Sequence, residues 1–290
     1  MKFDKNTKIL IVGLGLIGGS YAKALSDEGY FVGAIDKKKS SVEYALKNGL
    51  IRVGETSVKK DFVKDFDLIV FALYPHDFIN WIKEYQSSIK SGALITDVTG
   101  VKSFVVENVR KILRGDLEFV GAHPMAGKEV SGVENADPKI FVGANYIVTP
   151  TKRNTDENVQ AVKDLGRALG FERISSLSPE EHDETVGFLS HLTHCIAVSL
   201  MVSKKSHHLA EYTGDSFRDL TRIAKINDEM WSELFLANKD ELLKQMDLFE
   251  EKFNQLKEDI KNDNREKIRE TLRESTARRK VFDKDAKETK

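Results

Sequence analysis

Up to about Leu177 the chain alternates short apolar, β-branched runs with longer amphipathic stretches. Strands separated by crossover helices read this way in a doubly wound parallel sheet. The strand candidates are KILIVG, FVGAID, DLIVFAL, ALITDV, EFVGAH, NYIVTP and FERISSL. Between the first two, GGSYAKALSDEG spaces its apolar residues as a helix does and stops on Gly29, which completes a βαβ unit. Beyond Leu177 the strand runs vanish. Ser178-Pro179-Glu180-Glu181 offers a capping serine, a first-turn proline and acids near the helix dipole, so a helix starts there and others follow. The pattern predicts an α/β, doubly wound parallel sheet over residues 1–177 and an all-α unit over residues 178–290. In the second unit, DELLKQMDLFEEKFNQLKEDI repeats apolar residues at heptad-like intervals, so one stripe seeks burial and a partner subunit would supply part of its core. A homodimer is therefore expected. The closing RRKVFDKDAKETK is too polar to pack.

Length and composition agree with two soluble domains. Single cores stop growing near ~250 residues, and this chain has 290, with 45 Lys+Arg against 46 Asp+Glu. No positive field advertises a nucleic-acid partner. One cysteine, Cys195, builds neither a disulfide framework nor a cysteine-rich metal site, which suits a reducing cytoplasm. The first residues run straight into a strand, and no stretch of ~20 apolar residues is evident, so no membrane span is expected.

Chemistry enters with KILIVGLGLIGGS. Gly13 allows a tight turn, Gly15 lets the backbone approach a pyrophosphate, and Gly18 lets a helix pack on the strand, with Leu16 and Ile17 at the helix start. Asp36 closes the second strand at the offset where a carboxylate accepts the adenosine ribose hydroxyls and repels a 2′-phosphate. This is a Rossmann-type dinucleotide loop, and NAD is preferred over NADP, although Lys37, Lys38 and Lys39 follow at once. The alternative is a glycine-rich turn that binds nothing. Leu73, Tyr74 and Thr99, at the carboxyl ends of later strands, should line the cofactor crevice, whereas His76 reads as a solvated loop histidine.

His123 ends EFVGAH, and Pro124 biases it toward extended backbone while Ala126 and Gly127 leave room beside the ring. Such a residue suits proton acceptance from a hydroxyl whose carbon loses a hydride. On chemistry alone a structural histidine at a strand edge stands almost level with that reading. In EEHDETVGFLSHLTH, His191 and His194 share a helical face near Ser190, with His182 upstream. A zinc HExxH pattern is absent, so no metal is expected and an imidazole-rich substrate pocket is the better reading. Arg222 lies among apolar residues in LTRIA, where a guanidinium needs a carboxylate, either from Asp219 three residues earlier or from a ligand.

Together GLGLIGGS, DVTGVK, GAHPMAG, FLSHLTH and FRDLTRIA with the following MW resemble the prephenate dehydrogenase family of tyrosine biosynthesis, from the first strand to about Asn238. The resemblance implies a nucleotide-binding domain before a helical dimerisation domain, and NAD-dependent oxidation of prephenate, or its aminated relative arogenate, with loss of carbon dioxide. It implies that His123 meets the ring hydroxyl and Arg222 a substrate carboxylate. His191 and His194 would line that pocket, with Glu129 and Asp219 near the arginine and Trp231 close by, contributed by either subunit.

Three departures stand out. Gly100 occupies the place of a serine that commonly holds the catalytic histidine in this family. Asp215-Ser216 replace paired glycines before the arginine, and the chain reads as lacking the regulatory domain of some members, which would leave any tyrosine feedback to the active site. A β-hydroxyacid-type dehydrogenase is the rival enzyme, but its usual lysine is missing from HDETVGFLSHLTHCIAVSLMV. A non-catalytic NAD-binding module is the rival from another class.

Overall fold

The structure is a computed structural model that describes residues 1–205 and 208–282. The strands are β1 (Lys8–Val12), β2 (Phe31–Ile35), β3 (Val53–Glu55), β4 (Leu68–Phe71), β5 (Leu94–Asp97), β6 (Glu118–Phe119), β7 (Gly121–Pro124), β8 (Asn145–Thr149) and β9 (Arg173–Ser176). β1 to β6 form one parallel sheet in the order β3-β2-β1-β4-β5-β6. Alternation divides its side chains between two cores: Ile9, Ile11, Leu68 and Val70 enter one face, and Leu10, Val12, Ile69 and Phe71 the other. The strand order reverses between β1 and β4, and ligands of open α/β sheets bind outside the carboxyl ends at such a point.

One sheet was expected; the structure has two. EFVGAH is broken at Val120, and β7 leaves the large sheet to pair antiparallel with β8, which pairs parallel with β9. Val120 N–H still donates to Ile95 C=O at 3.0 Å. Two residues later Ala122 N–H donates to the side chain of Asp97 at 3.0 Å, so a carboxylate ends the ladder. Gly121 makes the crossing possible, since a Cβ there would lie 2.5 Å from Thr149 Oγ1. Three-residue β3, with Gly54 at its centre, was not anticipated.

The helix stops and starts follow the sequence. Helix Leu16–Asp27 is followed by Gly29 at φ 84°. Helix Pro179–Val186 begins with a reciprocal capping box, in which Ser178 Oγ accepts from Glu181 N–H at 3.1 Å and Glu181 Oε2 from Ser178 N–H at 2.8 Å. It passes into a π-helical turn, Gly187–Leu192, and then into helix Thr193–Val202. The continuous run Pro179–Val202 is, against expectation, long and apolar enough to cross a membrane by length and composition. Its Asp183 and His182 are buried in hydrogen bonds to the α/β part, whereas Phe188, Leu189, Met201 and Val202 on the same run are exposed.

By contacts the chain forms two compact units, Met1–Lys239 and Asp240–Lys290. Within the second, helix Lys239–Lys261 leaves Leu243, Met246, Leu248, Phe249, Phe253 and Ile260 exposed, so the heptad stripe finds little cover in a single chain. Helix Arg265–Arg279 runs into the segment expected to fray and carries Arg278 and Arg279; residues 283–290 lie outside the described residues.

Candidate active site

The loop after β1 is built as the glycine spacing requires. Gly13 has φ 98°, and a Cβ on it would lie 2.4 Å from Ala72 C=O. A Cβ on Gly18 would lie 1.9 Å from Gly13 C=O, which fixes the close approach of helix to strand. A Cβ on Gly15 would meet no atom within 4 Å, so there the loop faces open space. Gly15 is the N-cap of helix Leu16–Asp27 and no side chain caps it, so that N-terminus fits an anionic pyrophosphate. Asp36 accepts from Leu14 N–H at 2.6 Å and from Lys38 N–H at 2.7 Å. Its carboxylate thereby joins the end of β2 to the loop and keeps acceptor capacity for ribose hydroxyls. Leu73 and Tyr74 follow β4, half-buried beside the same crevice, and Leu73 touches the place where a Gly13 side chain would stand.

Thr99 follows β5 but turns inward. It is buried with its hydroxyl against the Asp97 carboxylate and accepts from Lys102 Nζ at 3.0 Å. Lys102 is wholly buried, and its ammonium meets Asp97 Oδ2 at 2.6 Å. Burial pulls the lysine below its ordinary pKa while Asp97 opposes that pull. This cluster joins β5 to β7 and so fixes the strand that carries His123.

His123 Nδ1 lies 2.9 Å from His182 Nε2, and His182 Nδ1 lies 2.8 Å from Asp183 Oδ1. Asp183 is anchored in turn, since Lys102 N–H and Ser103 N–H donate to its two oxygens at 2.8 and 2.7 Å, at the start of helix Ser103–Ile112. His182 was not singled out from sequence as a site residue. Its signal was faint: a His-Asp pair one turn into an apolar helix. Gly100 stands near the base without touching it, its missing Cβ falling 3.8 Å from His123 Cε1. Burial drives the His123 pKa well below its ordinary value, and the positive charges of His182, Lys102 and His191 push the same way, so the ring is neutral at rest.

On the pocket side, His194 stacks on Trp231 of the same chain, with ring centroids 3.7 Å apart. His194 Nδ1 donates to Ser190 C=O at 2.8 Å, which leaves Nε2 as an acceptor. His191 faces Trp231 and Phe235 edge-on and accepts at Nδ1 from the Asn238 amide at 3.2 Å, so its Nε2 carries the donor proton. Burial lowers its pKa to about 4. Arg222 forms an ion pair with Glu129, and both charges act on His194. The alternative partner, Asp219, is exposed and is not the residue that pairs with Arg222. Nor is Arg222 buried as its apolar neighbours suggested: 65% of its side chain is exposed, because it sits in a short turn, Arg222–Ala224, after helix Asp215–Thr221. His76, expected in a loop, lies in the first turn of helix Pro75–Tyr85 and pairs with Glu233 at 2.5 Å. Among the described residues no cluster of His, Cys, Asp and Glu is arranged to hold a metal ion.

Two family profiles decide the kinship. The nucleotide-binding domain of prephenate dehydrogenase matches residues 21–173, and the dimerization domain of prephenate dehydrogenase matches residues 178–274. The chain belongs to the prephenate dehydrogenase family. The Bacillus subtilis prephenate dehydrogenase is 34% identical over 249 residues, covering 82% of this chain and 66% of that protein, so the chain spans about two thirds of that relative's length. A cyclohexadienyl dehydrogenase of Zymomonas mobilis is 29% identical and matches over 96% of both chains. The crystal structure of the A. aeolicus prephenate dehydrogenase, in complex with hydroxyphenyl propionate and NAD+, superposes with a TM-score of 0.87 at 34% identity, covering 96% of this chain and 98% of that one.

Proposed function

We propose that this chain is an NAD-dependent prephenate dehydrogenase, catalysing oxidative decarboxylation of prephenate to 4-hydroxyphenylpyruvate and carbon dioxide in tyrosine biosynthesis. The observation that carries the reading is a neutral histidine, His123, at the edge of a dinucleotide fold and linked through His182 to the pocket helix. NAD bound on the Gly13–Gly18 loop supplies the hydride acceptor. His123 takes the proton of the ring hydroxyl as the carbon beneath it is oxidised, and loss of the ring carboxylate leaves an aromatic product, which makes the step strongly downhill. Arg222 meets a substrate carboxylate in exchange for Glu129, and His191, His194 and Trp231 wall the pocket. The site thus holds a dianion and manages one proton, work that needs orientation more than a covalent nucleophile.

Residues 1–177 would bind the nucleotide, and residues 178–290 would shape the pocket and join two copies. The exposed stripe of helix Lys239–Lys261, with Phe188, Leu189, Met201 and Val202 on the pocket helix, supports a homodimer. The single cysteine suits the cytoplasm.

NADH formation with prephenate, arogenate and a simple hydroxyacid is the test. Arogenate belongs in it because of the full-length match to a cyclohexadienyl dehydrogenase. Turnover is expected with prephenate, in a particle of twice the 32.7 kDa chain mass by light scattering. His123→Asn should retain NAD binding while turnover falls on the order of 10²–10⁴-fold. Wild-type turnover by that variant removes His123 from the mechanism.

A further inference from the structure

The hydrogen bonds from His123 to Asp183 have a direction that one member dictates. Asp183 is held as a carboxylate: despite burial its pKa lies below the ordinary value, because His182 and the two backbone N–H groups favour the charged form. A carboxylate can only accept, so His182 must place its proton on Nδ1, at 2.8 Å from Asp183 Oδ1. His182 Nε2 is then left with a lone pair. The atom facing it at 2.9 Å is His123 Nδ1, which must donate. His123 Nε2 is thereby stripped of its proton and becomes the nitrogen free to take one. Without such a partner a neutral histidine favours the opposite tautomer, with its proton on Nε2.

We propose that His182 and Asp183 are positioning residues that lock His123 into the Nδ1–H tautomer, making Nε2 the base, and thereby take over the work expected of a side chain at Gly100. The inference rests on the proposed dehydrogenase reading only for what the base acts on. When Nε2 takes the hydroxyl proton, no proton leaves the three residues. His123 keeps its Nδ1 proton in the bond to His182, one bond has formed at Nε2, and the net charge of the trio changes from −1 to 0. The Asp183 carboxylate therefore offsets an imidazolium that burial alone would oppose. The anchoring supports this role. Asp183 also takes the first N–H groups of helix Ser103–Ile112 on its two carboxylate oxygens, which prevents its rotation, and the Asn238 side-chain amide donates to Asp183 C=O at 2.9 Å, which steadies its main chain. Of the three side chains, His182 and Asp183 are buried, and the Asp183 end is fixed by the two backbone N–H groups.

The test has two arms on the full-length protein. The first is 15N NMR of histidine-labelled wild type without substrate, with His123 assigned from the signal lost in His123→Asn. The neutral His123 should carry its proton on Nδ1, and in His182→Leu it should revert to Nε2–H. Nε2–H in the wild type overturns the proposal, whatever the enzyme acts on. The second arm compares turnover on prephenate. His182→Leu should lower kcat on the order of 10²-fold, with NAD affinity and KM within about threefold, and His182→Gln should recover roughly tenfold, because an amide oxygen can accept from His123 Nδ1. A kcat for His182→Leu within about threefold of wild type, or no difference between the Leu and Gln variants, also overturns it. If wild type turns over neither prephenate nor arogenate, the substrate reading fails while the NMR arm still decides the tautomer. Should His182→Leu fail to fold, the wild-type spectrum and the Gln variant carry the decision.

Discussion

Burial sets the working range of the proposed base. His123 is held well below the 6.5 of an ordinary histidine, first by desolvation and then by the charges of His182, Lys102 and His191. A base is lost when it is protonated, so a lowered pKa moves that loss toward acid. The acid limb of kcat/KM against pH should therefore fall below pH 6.5, and a limb at or above that value would show that the ring is solvated in the working enzyme. At this scale several candidate residues could be picked out from sequence. His123 was marked by its place at a strand end before a proline, and Asp36 by its offset from the glycines. His182 was not, because what identifies it is a 2.9 Å contact between residues 59 positions apart, and spacing carries no trace of that. For Arg222, i−3 proximity on a helix offered Asp219 and the family resemblance offered Glu129 as well; the structure pairs it with Glu129, which the loop after β7 brings across 93 positions.

Elements, more than single residues, bring Arg222 to Glu129. The loop following β7 and the turn Arg222–Ala224 meet in one exposed ion pair, which costs little to open because water screens both partners. A substrate carboxylate gripped by a guanidinium in a narrower space gains more, typically ~1.5–3 kcal/mol for a charge-assisted pair. Arg222→Ala should raise KM for prephenate by roughly tenfold to 100-fold with kcat changed far less. An unchanged KM would assign the arginine to Glu129 alone. Element boundaries also show where sequence reading stopped. The apolar run of EFVGAH is the same whether it belongs to one sheet or two, and the choice falls to Asp97, which takes Ala122 N–H out of the ladder. The π turn Gly187–Leu192 was equally hidden, since GFLSHL satisfies helical spacing with or without the extra residue.

Across the whole molecule, several imidazoles buried in neutral form tie stability to pH. His191 is the clearest, with a folded-state pKa of about 4 against 6.5 for the ordinary group. A lowered histidine binds its proton more readily when unfolded, so acid favours the unfolded chain, and the penalty grows as pH drops from 6.5 toward 4. His191 alone accounts for about 2 kcal/mol between pH 7 and pH 5, and His123 and His182 shift the same way. Urea denaturation at the two pH values should show that loss, and equal midpoints would contradict neutral burial. At this scale the α/β plan followed by helices was readable throughout, because alternation and capping are local. The apolar surface on helix Lys239–Lys261 was readable as a stripe, although one chain does not cover it.

The small sheet β7-β8-β9 has a consequence for how the two rings are held together. β7 carries His123, and β9 passes within a few residues into the capped helix that carries His182. The proposed base and its positioning partner thus hang from a common frame, which the Asp97 carboxylate ties to β5 of the larger sheet. One small sheet therefore places both rings, and an insertion or deletion in β8 would shift proton acceptor and partner together rather than stretch the 2.9 Å between them.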